Sequence, residues 1–448
     1  MTEHLVLGLG VTGTAVLRAL VAHGETAVAV DDHPTDAGRR LAEALGVELV
    51  EAPDGPTLAA IVGRVGAVVP SPGVPDHHPL FTLAEAAGVP VLSELDLAAR
   101  WDDRPLVAIT GTDGKTTVTE LTRAMLEASG RVAAAVGNTE VPLVAALEDP
   151  AIEVFVVEAS SFRLLHSARF APSVGTWLNV APDHLDNHAD FDAYVAAKAR
   201  LWTDQGPDQV AIGNADEPIV AAHLAVAPAR HVTFGLTTDA DHHLDGDRLV
   251  LAGGATLART GELRRAFPHD VANALAAAAS ALHGGATEAG ARAALLAFPG
   301  LPHRVTLVGE AGGVRWYDDS KATAPHATRA ALRAFPSVVL IAGGRNKGLD
   351  LRELADEREH VSAVVAIGEA GPEVAEAFDG IRPVRVADSM DAAVAEAASL
   401  ATRGDVVLLS PACASFDWYR SYAERGDDFT RAVHDLLGAG AGRGGAEA

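Results

Sequence analysis

A glycine-rich loop carries the residues with the clearest chemistry in this sequence. It reads Thr110-Gly111-Thr112-Asp113-Gly114-Lys115-Thr116-Thr117. An apolar, strand-like run at 106–109 precedes the loop, and a helical pattern at 118–127 follows it. A strand, a glycine loop and a helix in this order are typical of loops that bind nucleotide phosphates. The sequence therefore predicts an ATP site here.

Each part of the loop has a defined use in phosphate chemistry. Backbone N–H groups around Asp113 and Gly114 can hold phosphate oxygens, the ammonium of Lys115 can reach the β- and γ-phosphates, and the hydroxyl of Thr116 can bind Mg²⁺. Ile109 stands where the general pattern has glycine. The rest of the pattern is intact, so the prediction of nucleotide binding stands.

A carboxylate is expected beside this loop. Glu158 ends the apolar run 154–157, and a carboxylate at the carboxyl end of a parallel strand lies at the edge of the sheet where the loop also lies. We therefore predict that Glu158 holds a metal ion. The alternative is that Glu158, or Ser160 or Ser161 after it, caps a helix.

A second glycine turn lies near the amino terminus. The segment 8–13 reads Gly-Leu-Gly-Val-Thr-Gly, a helical pattern follows at 14–23, and Asp31 ends the next strand-like run. This spacing is the dinucleotide fingerprint, in which a diphosphate lies at a helix N-terminus. It fits NAD, a uridine diphosphate group or a purely structural turn.

Strand-like and helical runs alternate along the whole chain, which predicts an α/β fold with parallel sheets. Polar and Pro-containing stretches near 100–105 and 298–302 are the expected boundaries. We predict three domains, 1–102, 103–302 and 303–448: a Rossmann-like amino-terminal domain, a central P-loop mononucleotide-binding domain and a Rossmann-like carboxy-terminal domain.

Composition narrows the class of protein. The 448 residues are 48% hydrophobic and carry a net charge of −25, which disfavours nucleic acid and anionic membranes as partners. Cys413 is the single cysteine, so an intrachain disulfide is excluded. Without a signal-like or membrane-spanning run, we expect a soluble cytoplasmic protein, as a monomer.

Four further motifs make the pattern specific. They are Glu158-Ala159-Ser160-Ser161-Phe162, Leu178-Asn179-Val180-Ala181-Pro182-Asp183-His184-Leu185-Asp186, Asp319-Ser320-Lys321-Ala322-Thr323 and Ser410-Pro411-Ala412-Cys413-Ala414-Ser415-Phe416-Asp417. In this order, together with the phosphate loop, they resemble the Mur ligases. The third and fourth motifs are typical of the branch that adds glutamate. The resemblance covers nearly the whole chain.

The resemblance implies that the first domain binds a UDP-sugar, the second ATP and the third the incoming amino acid. The substrates would be UDP-N-acetylmuramoyl-L-alanine and glutamate, joined through an acyl phosphate. The implied substrate contacts are Val11, Thr12, Asp31, Ser71, Asn138 and Ser161 for the UDP-sugar and Thr323, Lys347, Ser415 and Phe416 for glutamate. The implied ATP contacts are Gly111, Thr112, Asp113, Gly114, Lys115, Thr116, Thr117, Asn273, Arg304 and Asp319.

The resemblance also implies two Mg²⁺ ions, one near Thr116 and Glu158 and the other near His184 and Lys198. Lys198 matches the family position at which lysine is carbamylated, which would convert a repelling ammonium into an anionic oxygen ligand. From the sequence alone, Lys198 reads as an exposed helical lysine and His184 as a loop histidine. The implied catalytic residues are Lys115, Glu158, His184 and Lys198. Because Arg304 adjoins a domain boundary, we expect a closing motion before chemistry.

A few positions depart from the usual family pattern. Asp113 and Asp270 replace Asn, Arg163 replaces Gln, and Asn346 replaces Asp. Arg163 is expected near the muramoyl group. The pairs His77-His78 and His242-His243 lack a carboxylate at ligand spacing, and we expect both in solvated loops.

Three hypotheses follow. The first is ATP-dependent addition of D-glutamate to UDP-N-acetylmuramoyl-L-alanine in peptidoglycan precursor synthesis. The second keeps this chemistry with L-glutamate or with another acceptor such as a folate, because motifs do not specify chirality. The third is a non-catalytic nucleotide-binding protein or an NAD-dependent enzyme. Ser415 carries a smaller alternative, a helix N-cap ahead of Asp417.

Overall fold

The structure, a computed structural model, describes residues 3–75, 77–139, 141–184 and 187–443. Its strands form three sheets, of four, nine and six strands, and helices connect most of the successive parallel strands. The α/β class with three sheet-containing regions, predicted from the alternation of apolar runs and helical patterns, is confirmed.

The first sheet is wholly parallel, with the order β3-β2-β1-β4. This arrangement puts the glycine turn after β1 at the carboxyl edge of a central strand, as a Rossmann-like fold requires. Its elements are β1 (Glu3–Leu7), α1 (Val11–Ala22), β2 (Thr26–Asp31), α2 (Asp36–Leu45), β3 (Glu48–Glu51), α3 (Gly55–Val62), β4 (Ala67–Pro70), α4 (Pro79–Ala87) and α5 (Glu94–Trp101).

The second sheet has the order β13-β12-β11-β10-β9-β8-β5-β7-β6, and only its β11–β13 end is antiparallel. Its elements are β5 (Leu106–Thr110), α6 (Lys115–Ala128), β6 (Ala133–Gly137), α7 (Leu143–Ala146), β7 (Val154–Glu158), α8 (Ser161–Leu165), β8 (Val174–Trp177), α9 (Phe191–Thr203), β9 (Val210–Asn214), α10 (Pro218–Leu224), β10 (Arg230–Gly235), β11 (His242–Asp245), β12 (Arg248–Val250), β13 (Thr256–Arg259), α11 (Pro268–His283) and α12 (Glu288–Ala297). The strands β5 and β7 are buried throughout, which explains why they read as unbroken apolar runs.

The third sheet has the order β14-β15-β19-β16-β17-β18, and only the β14–β15 pair is antiparallel. Its elements are β14 (Thr306–Ala311), β15 (Val314–Asp318), α13 (Pro325–Leu332), β16 (Val338–Gly343), β17 (Val361–Ile367), α14 (Gly371–Ala377), β18 (Val384–Ala387), α15 (Met390–Leu400), β19 (Val406–Leu409) and α16 (Tyr422–Arg443). Because β19 lies between β15 and β16, the loops after β16 and β19 emerge side by side.

The chain forms two compact units: residues 1–180 with 187–298, and residues 181–186 with 299–448. The first unit therefore contains the first and second sheets. Side chains from both sheet regions pack into one hydrophobic core, among them Leu17 of α1 and Phe155 of β7. The three-domain boundaries at 102/103 and 302/303 stay predictions. No helix in the described ranges is long and apolar enough to cross a membrane.

Candidate active site

The phosphate loop joins β5 to the N-terminus of α6, as predicted. Gly114 precedes the helix with a φ of +81°, a left-handed conformation that favours glycine. A Cβ atom added to Gly114 would lie 2.5 Å from Oδ1 of Asn273. Glycine is therefore required at this position both by the backbone conformation and by the close approach of Asn273. The structure thus places Asn273 against the loop, where it was expected to contact ATP.

Asn179 supports the phosphate loop from the neighbouring strand end. Its Oδ1 accepts hydrogen bonds from the backbone N–H groups of Thr112, at 2.9 Å, and Asp113, at 2.8 Å. Its Nδ2 donates in turn to the carbonyl oxygen of Asp113, at 3.2 Å. Asn179 was not among the predicted site residues. Its place in the Asn-Val motif after an apolar run was the signal that could have identified it.

Two lysines converge on one carbonyl group of the loop. Lys115 Nζ donates to the carbonyl oxygens of Gly111, at 2.9 Å, and Thr112, at 2.8 Å, and Lys198 Nζ donates to that of Gly111, at 2.7 Å. Lys198 is buried, with its ammonium 4.4 Å from the ring centroid of Tyr194. The alternative of an exposed helical lysine is therefore wrong. The Lys115 ammonium beside a phosphate-binding loop fits a polyanion such as a triphosphate.

Glu158 lies beside the loop, at the end of β7 and opposite Ile109 of β5. Its carboxylate is buried, and Oε1 accepts a hydrogen bond from Asn138 Nδ2, at 3.1 Å. Oε2 has no hydrogen-bond partner in the described part of the chain. A buried carboxylate oxygen without a hydrogen-bond donor costs free energy unless a cation binds to it. This position therefore fits Mg²⁺. Thr116, the other expected ligand, lies in the first turn of α6.

Across the described ranges, no group of three or more His, Cys, Asp or Glu side chains is arranged to hold a metal ion. The capping alternative applies to Ser160, whose hydroxyl accepts a hydrogen bond from the N–H of Arg163 at 3.4 Å.

The amino-terminal glycine turn is held by side chains that were predicted as substrate contacts. Ser71 Oγ donates to the carbonyl oxygen of Gly8, at 2.6 Å, and Asp31 accepts the backbone N–H of Leu9 through Oδ2. A Cβ atom on Gly13 would lie 1.8 Å from the carbonyl oxygen of Gly8. The turn is therefore tight, and Asp31 and Ser71 fix its shape.

The first turn of α1 carries the other two expected contacts at this end. Val11 is 68% exposed, an unusual state for a valine, whereas Thr12 is buried. Thr12 Oγ1 accepts a hydrogen bond from Arg163 Nη2, at 3.0 Å, and Arg163 also forms a buried ion pair with Glu94. Arg163 thus contacts the amino-terminal glycine turn directly.

Ser161 is paired with a histidine that the sequence did not indicate. Its hydroxyl lies 3.0 Å from Nε2 of His188, and both side chains are buried. The ring of His188 stacks on that of Phe162, with centroids 5.4 Å apart. This arrangement joins the Ser-Ser-Phe motif to the segment that leads into α9.

His184 and Arg304 lie in the second unit, in backbone segments with positive φ values. His184 has a φ of +56°, and its N–H donates to Oδ1 of Asp183 at 2.9 Å. His303 and Val305, on either side of Arg304, have φ values of +58° and +48°. Such conformations cost energy for residues other than glycine and are common at functional sites. The predicted segment 185–186 lies outside the described residues.

Asp319 is a buried carboxyl group with an altered pKa. Burial raises its pKa to about 7, although the hydroxyl of Ser410, which donates at 2.8 Å, and the nearby Arg304 both favour the charged form. A carboxyl group of this pKa changes protonation near neutral pH. Asp319 is therefore poised to respond to a neighbouring ligand or cation.

The loops after β16 and β19 are joined at the carboxyl edge of the third sheet. Arg345 and Ala414 exchange backbone hydrogen bonds of 2.8 and 3.0 Å, which join the loop of Lys347 to the loop of Ser415. Ser415 is buried and Phe416 is 63% exposed. Ser415 lies in a turn and no helix begins until Tyr422, so the N-cap alternative is wrong. Thr323 is half-buried, just before α13.

Arg425 organises this region and was not predicted. Its buried guanidinium donates to the hydroxyl and carbonyl oxygens of Ser320, at 3.0 and 2.9 Å, and to the carbonyl oxygen of Cys413, at 3.1 Å. It thereby connects the two motifs that are typical of glutamate addition. Burial raises the pKa of the Cys413 thiol to about 12, which fits a packed side chain and not a nucleophile.

The contacts of Asn346 explain why asparagine, and not the usual aspartate, occupies this position. Asn346 Nδ2 donates to Glu373 Oε2, at 2.7 Å, and to the carbonyl oxygen of Leu349, at 2.9 Å. An aspartate here would place a second carboxylate against Glu373. The asparagine is therefore matched to its neighbour.

The expectation of solvated loops fails at His242. It lies in β11, is 2% exposed, and has neither ring nitrogen hydrogen-bonded among the described residues. His242 faces His283, Asp241 and His243, and burial lowers its pKa to about 4. The paired histidines suggested a polar loop, but the strand alternation points the first of them into the core.

Acidification should therefore destabilise the first unit through His242. Below pH 6.5 the unfolded chain takes up a proton that the folded protein accepts only near pH 4, so stability falls as the pH falls through this window. Urea unfolding at pH 7 and pH 4 should show a loss of about 3 kcal/mol from this residue. His242→Phe should remove that loss, whereas the exposed control His33→Asn should not; equal losses in both variants would contradict the assignment.

Comparison with known proteins identifies the class. Residues 2–93 match the family described as Mur ligase MurD-like, N-terminal domain, residues 109–281 the Mur ligase middle domain, and residues 303–413 the Mur ligase, glutamate ligase domain. The chain belongs to the Mur ligase family of ATP-dependent ligases.

Among curated proteins, the chain is similar to those named UDP-N-acetylmuramoylalanine–D-glutamate ligase. That of Frankia casuarinae is 46% identical, covering 96% of this chain and 93% of the relative. That of Desulfosudis oleivorans is 42% identical, covering 96% of each. The likeness therefore extends over all three sheet regions.

Solved structures share the fold at low sequence identity. The UDP-N-acetylmuramate-alanine ligase MurC of Thermotoga maritima is 18% identical with a TM-score of 0.58, covering 97% of this chain and 100% of that one. MurF of Acinetobacter baumannii is 18% identical with a TM-score of 0.61, covering 96% and 90%. Both confirm the predicted fold class.

Proposed function

We propose that this protein adds D-glutamate to UDP-N-acetylmuramoyl-L-alanine at the expense of ATP, in the cytoplasmic synthesis of peptidoglycan precursors. The observation that carries the proposal is the convergence of Lys115 and Lys198 on the Gly111 carbonyl group, beside a buried carboxylate oxygen of Glu158 that lacks a donor. The names of the similar curated proteins support the choice of substrates.

Transfer of the γ-phosphoryl group to the alanyl carboxylate brings two anions together, so the site needs cations aimed at the transferring group. Lys115 supplies one, and Asn179 keeps the loop in the shape that presents its N–H groups. Bound Mg²⁺ would neutralise developing charge on the phosphate oxygens. The amine of glutamate then attacks the acyl phosphate, and phosphate leaves.

We propose that Glu158 and Thr116 hold one Mg²⁺ and that His184 and a carbamylated Lys198 hold a second. The neutral Lys198 amine would form an N–C bond with carbon dioxide and release a proton, which yields an anionic oxygen ligand. The position of Lys198 supports this role, because its side chain is buried and lies against Gly111 of the phosphate loop.

The remaining assignments follow the three regions. We propose that residues 1–102 bind the UDP-sugar through Val11, Thr12, Asp31 and Ser71, with Asn138 and Ser161 as further contacts. Residues 103–302 bind ATP through the phosphate loop and Asn273, with Arg304 and Asp319 as additional contacts. Residues 303–448 bind glutamate, and the proposed contacts of that region are Thr323, Lys347, Ser415 and Phe416. We propose a monomer.

The test is phosphate release with ATP, UDP-N-acetylmuramoyl-L-alanine and each glutamate enantiomer in turn, with Lys115→Ala as the background control. We expect release with D-glutamate only. Release with L-glutamate only, or with a folate acceptor, would favour the second hypothesis, and no release with either enantiomer would sink the proposal.

A further inference from the structure

We propose that Arg163 is a positioning residue for the nucleotide sugar: it holds the hydroxyl of Thr12 in the first turn of α1 and ties that turn to α5 and α7. This inference rests on the proposed function for the identity of the ligand. It goes beyond that function by assigning a role to a position where this chain departs from the usual family pattern.

The geometry is a buried chain of polar contacts across the first unit. The N–H of Val144 in α7 donates to Glu94 Oε2 at 3.1 Å, Glu94 Oε1 pairs with Arg163 Nη1, and Arg163 Nη2 donates to Thr12 Oγ1 at 3.0 Å. Exposed fractions are 2% for Glu94, 6% for Arg163 and 8% for Thr12. Every side chain in the chain of contacts is thus kept out of solvent.

The contact determines what Thr12 can do. A hydroxyl group that accepts a hydrogen bond from a guanidinium keeps its own hydrogen for another acceptor. Thr12 lies within the glycine turn 8–13 and in the first turn of α1, at a helix N-terminus where a diphosphate is favoured. Arg163 therefore presents the Thr12 hydroxyl as a donor, and it places a buried cation behind the turn.

The same short segment also carries the metal-binding carboxylate. Glu158 ends β7, and Arg163 lies within α8, which begins at Ser161. Burial lowers the pKa of the Arg163 guanidinium, whereas the charges of Glu94 and then Glu158 oppose this shift. The charge of Glu158 is thus felt at Arg163, and one short segment carries both the carboxylate at the end of β7 and the contact to Thr12.

A purely structural ion pair would behave differently from a positioning residue. Glu94→Gln removes the buried charge of the partner but leaves Arg163 able to donate to Thr12. Adding Arg163→Met to Glu94→Gln removes the donor to Thr12. Methionine keeps a similar volume, and the double variant leaves no unpaired buried charge. Comparing these two proteins isolates the Arg163–Thr12 contact from the ion pair.

The experiment is isothermal titration of the full chain with UDP-N-acetylmuramoyl-L-alanine, and separately with UDP, without ATP or glutamate. We expect Glu94→Gln to bind within about threefold of the unchanged protein, and the double variant to bind about tenfold more weakly, as loss of one hydrogen bond to a charged group predicts. In the Glu94→Gln background, Thr12→Val should weaken binding to a similar degree, and Arg163→Met should then add little.

Kinetics supply a second readout. In the double variant the KM for the nucleotide sugar should rise about tenfold, with the KM for ATP unchanged. If the double variant does not fold, Arg163→Lys is the substitute. Lysine keeps a cation against Glu94 but lacks the planar fork that also reaches Thr12. This variant too should bind UDP more weakly than the unchanged protein. Unchanged affinity, or additive effects of the Thr12 and Arg163 changes, would overturn the inference.

Failure of the proposed function is distinguishable from failure of this inference. A protein that does not use D-glutamate would give no turnover with D-glutamate, yet its affinity for UDP would still depend on Arg163. A protein with full ligase activity whose UDP affinity ignores Arg163 would overturn the inference alone.

Discussion

Lys198→Ala should lower kcat by at least about 100-fold, a loss typical of removing one group that stabilises charge in a transition state. Lys198 is buried against the Gly111 carbonyl group and the Tyr194 ring. Alanine at this position therefore creates a cavity and removes the proposed metal ligand. Short carboxylates such as formate or acetate should partly restore activity, because they can occupy the place of a carbamate. Initial rates of phosphate release with and without added carboxylate measure the effect.

Lys115→Ala is the matched control, since Lys115 donates to the same carbonyl group. It should lose activity to a similar extent, but carboxylates should not restore it, because its cation acts directly on phosphate. Carbon-13 NMR in labelled bicarbonate should show a carbamate signal in the unchanged protein and in Lys115→Ala but not in Lys198→Ala. Full activity of Lys198→Ala would show the carbamate assignment to be wrong.

Glu158→Gln should separate stability from activity. The amide keeps an oxygen for the hydrogen bond from Asn138 and removes a buried charge whose second oxygen lacks a partner in the described residues. The thermal midpoint should therefore stay close to that of the unchanged protein or rise. Activity should fall at least about 100-fold, because an amide is a poor Mg²⁺ ligand.

The measurement is a magnesium titration of the initial rate, paired with thermal unfolding. Glu153→Gln, on the exposed chain just before the same strand, is the control and should retain the magnesium dependence of the unchanged protein. If Glu158→Gln kept full activity at every magnesium concentration, Glu158 would not be a metal ligand.

Local patterns in the sequence were sufficient to predict much of this molecule. Unbroken apolar runs predicted the buried parallel strands β5, β7, β16, β17 and β19, because a strand covered on both faces has no polar side. The phosphate loop and Glu158 were predicted to be neighbours from the rule that parallel strands end at one edge, and the structure places Glu158 opposite Ile109.

Contacts between distant segments could not be predicted in this way. Thr12 and Arg163 are 151 positions apart and Glu94 and Arg163 are 69 apart, so no periodicity links them. Arg425 lies in α16, outside every motif of the sequence analysis, and its side chain is buried. His242 was misjudged because a histidine pair resembles a polar loop, whereas its burial depends on the register of β11 with β10.

Transfer of labelled oxygen tests the central claim, phosphoryl transfer from ATP to the carboxylate of the acceptor. The acceptor, UDP-N-acetylmuramoyl-L-alanine, is prepared with oxygen-18 in its alanyl carboxyl group and incubated with ATP and D-glutamate, and the released phosphate is analysed by mass spectrometry. An acyl phosphate predicts one labelled oxygen in each phosphate released during turnover. Unlabelled phosphate, formed while the amide product accumulates, would contradict the account.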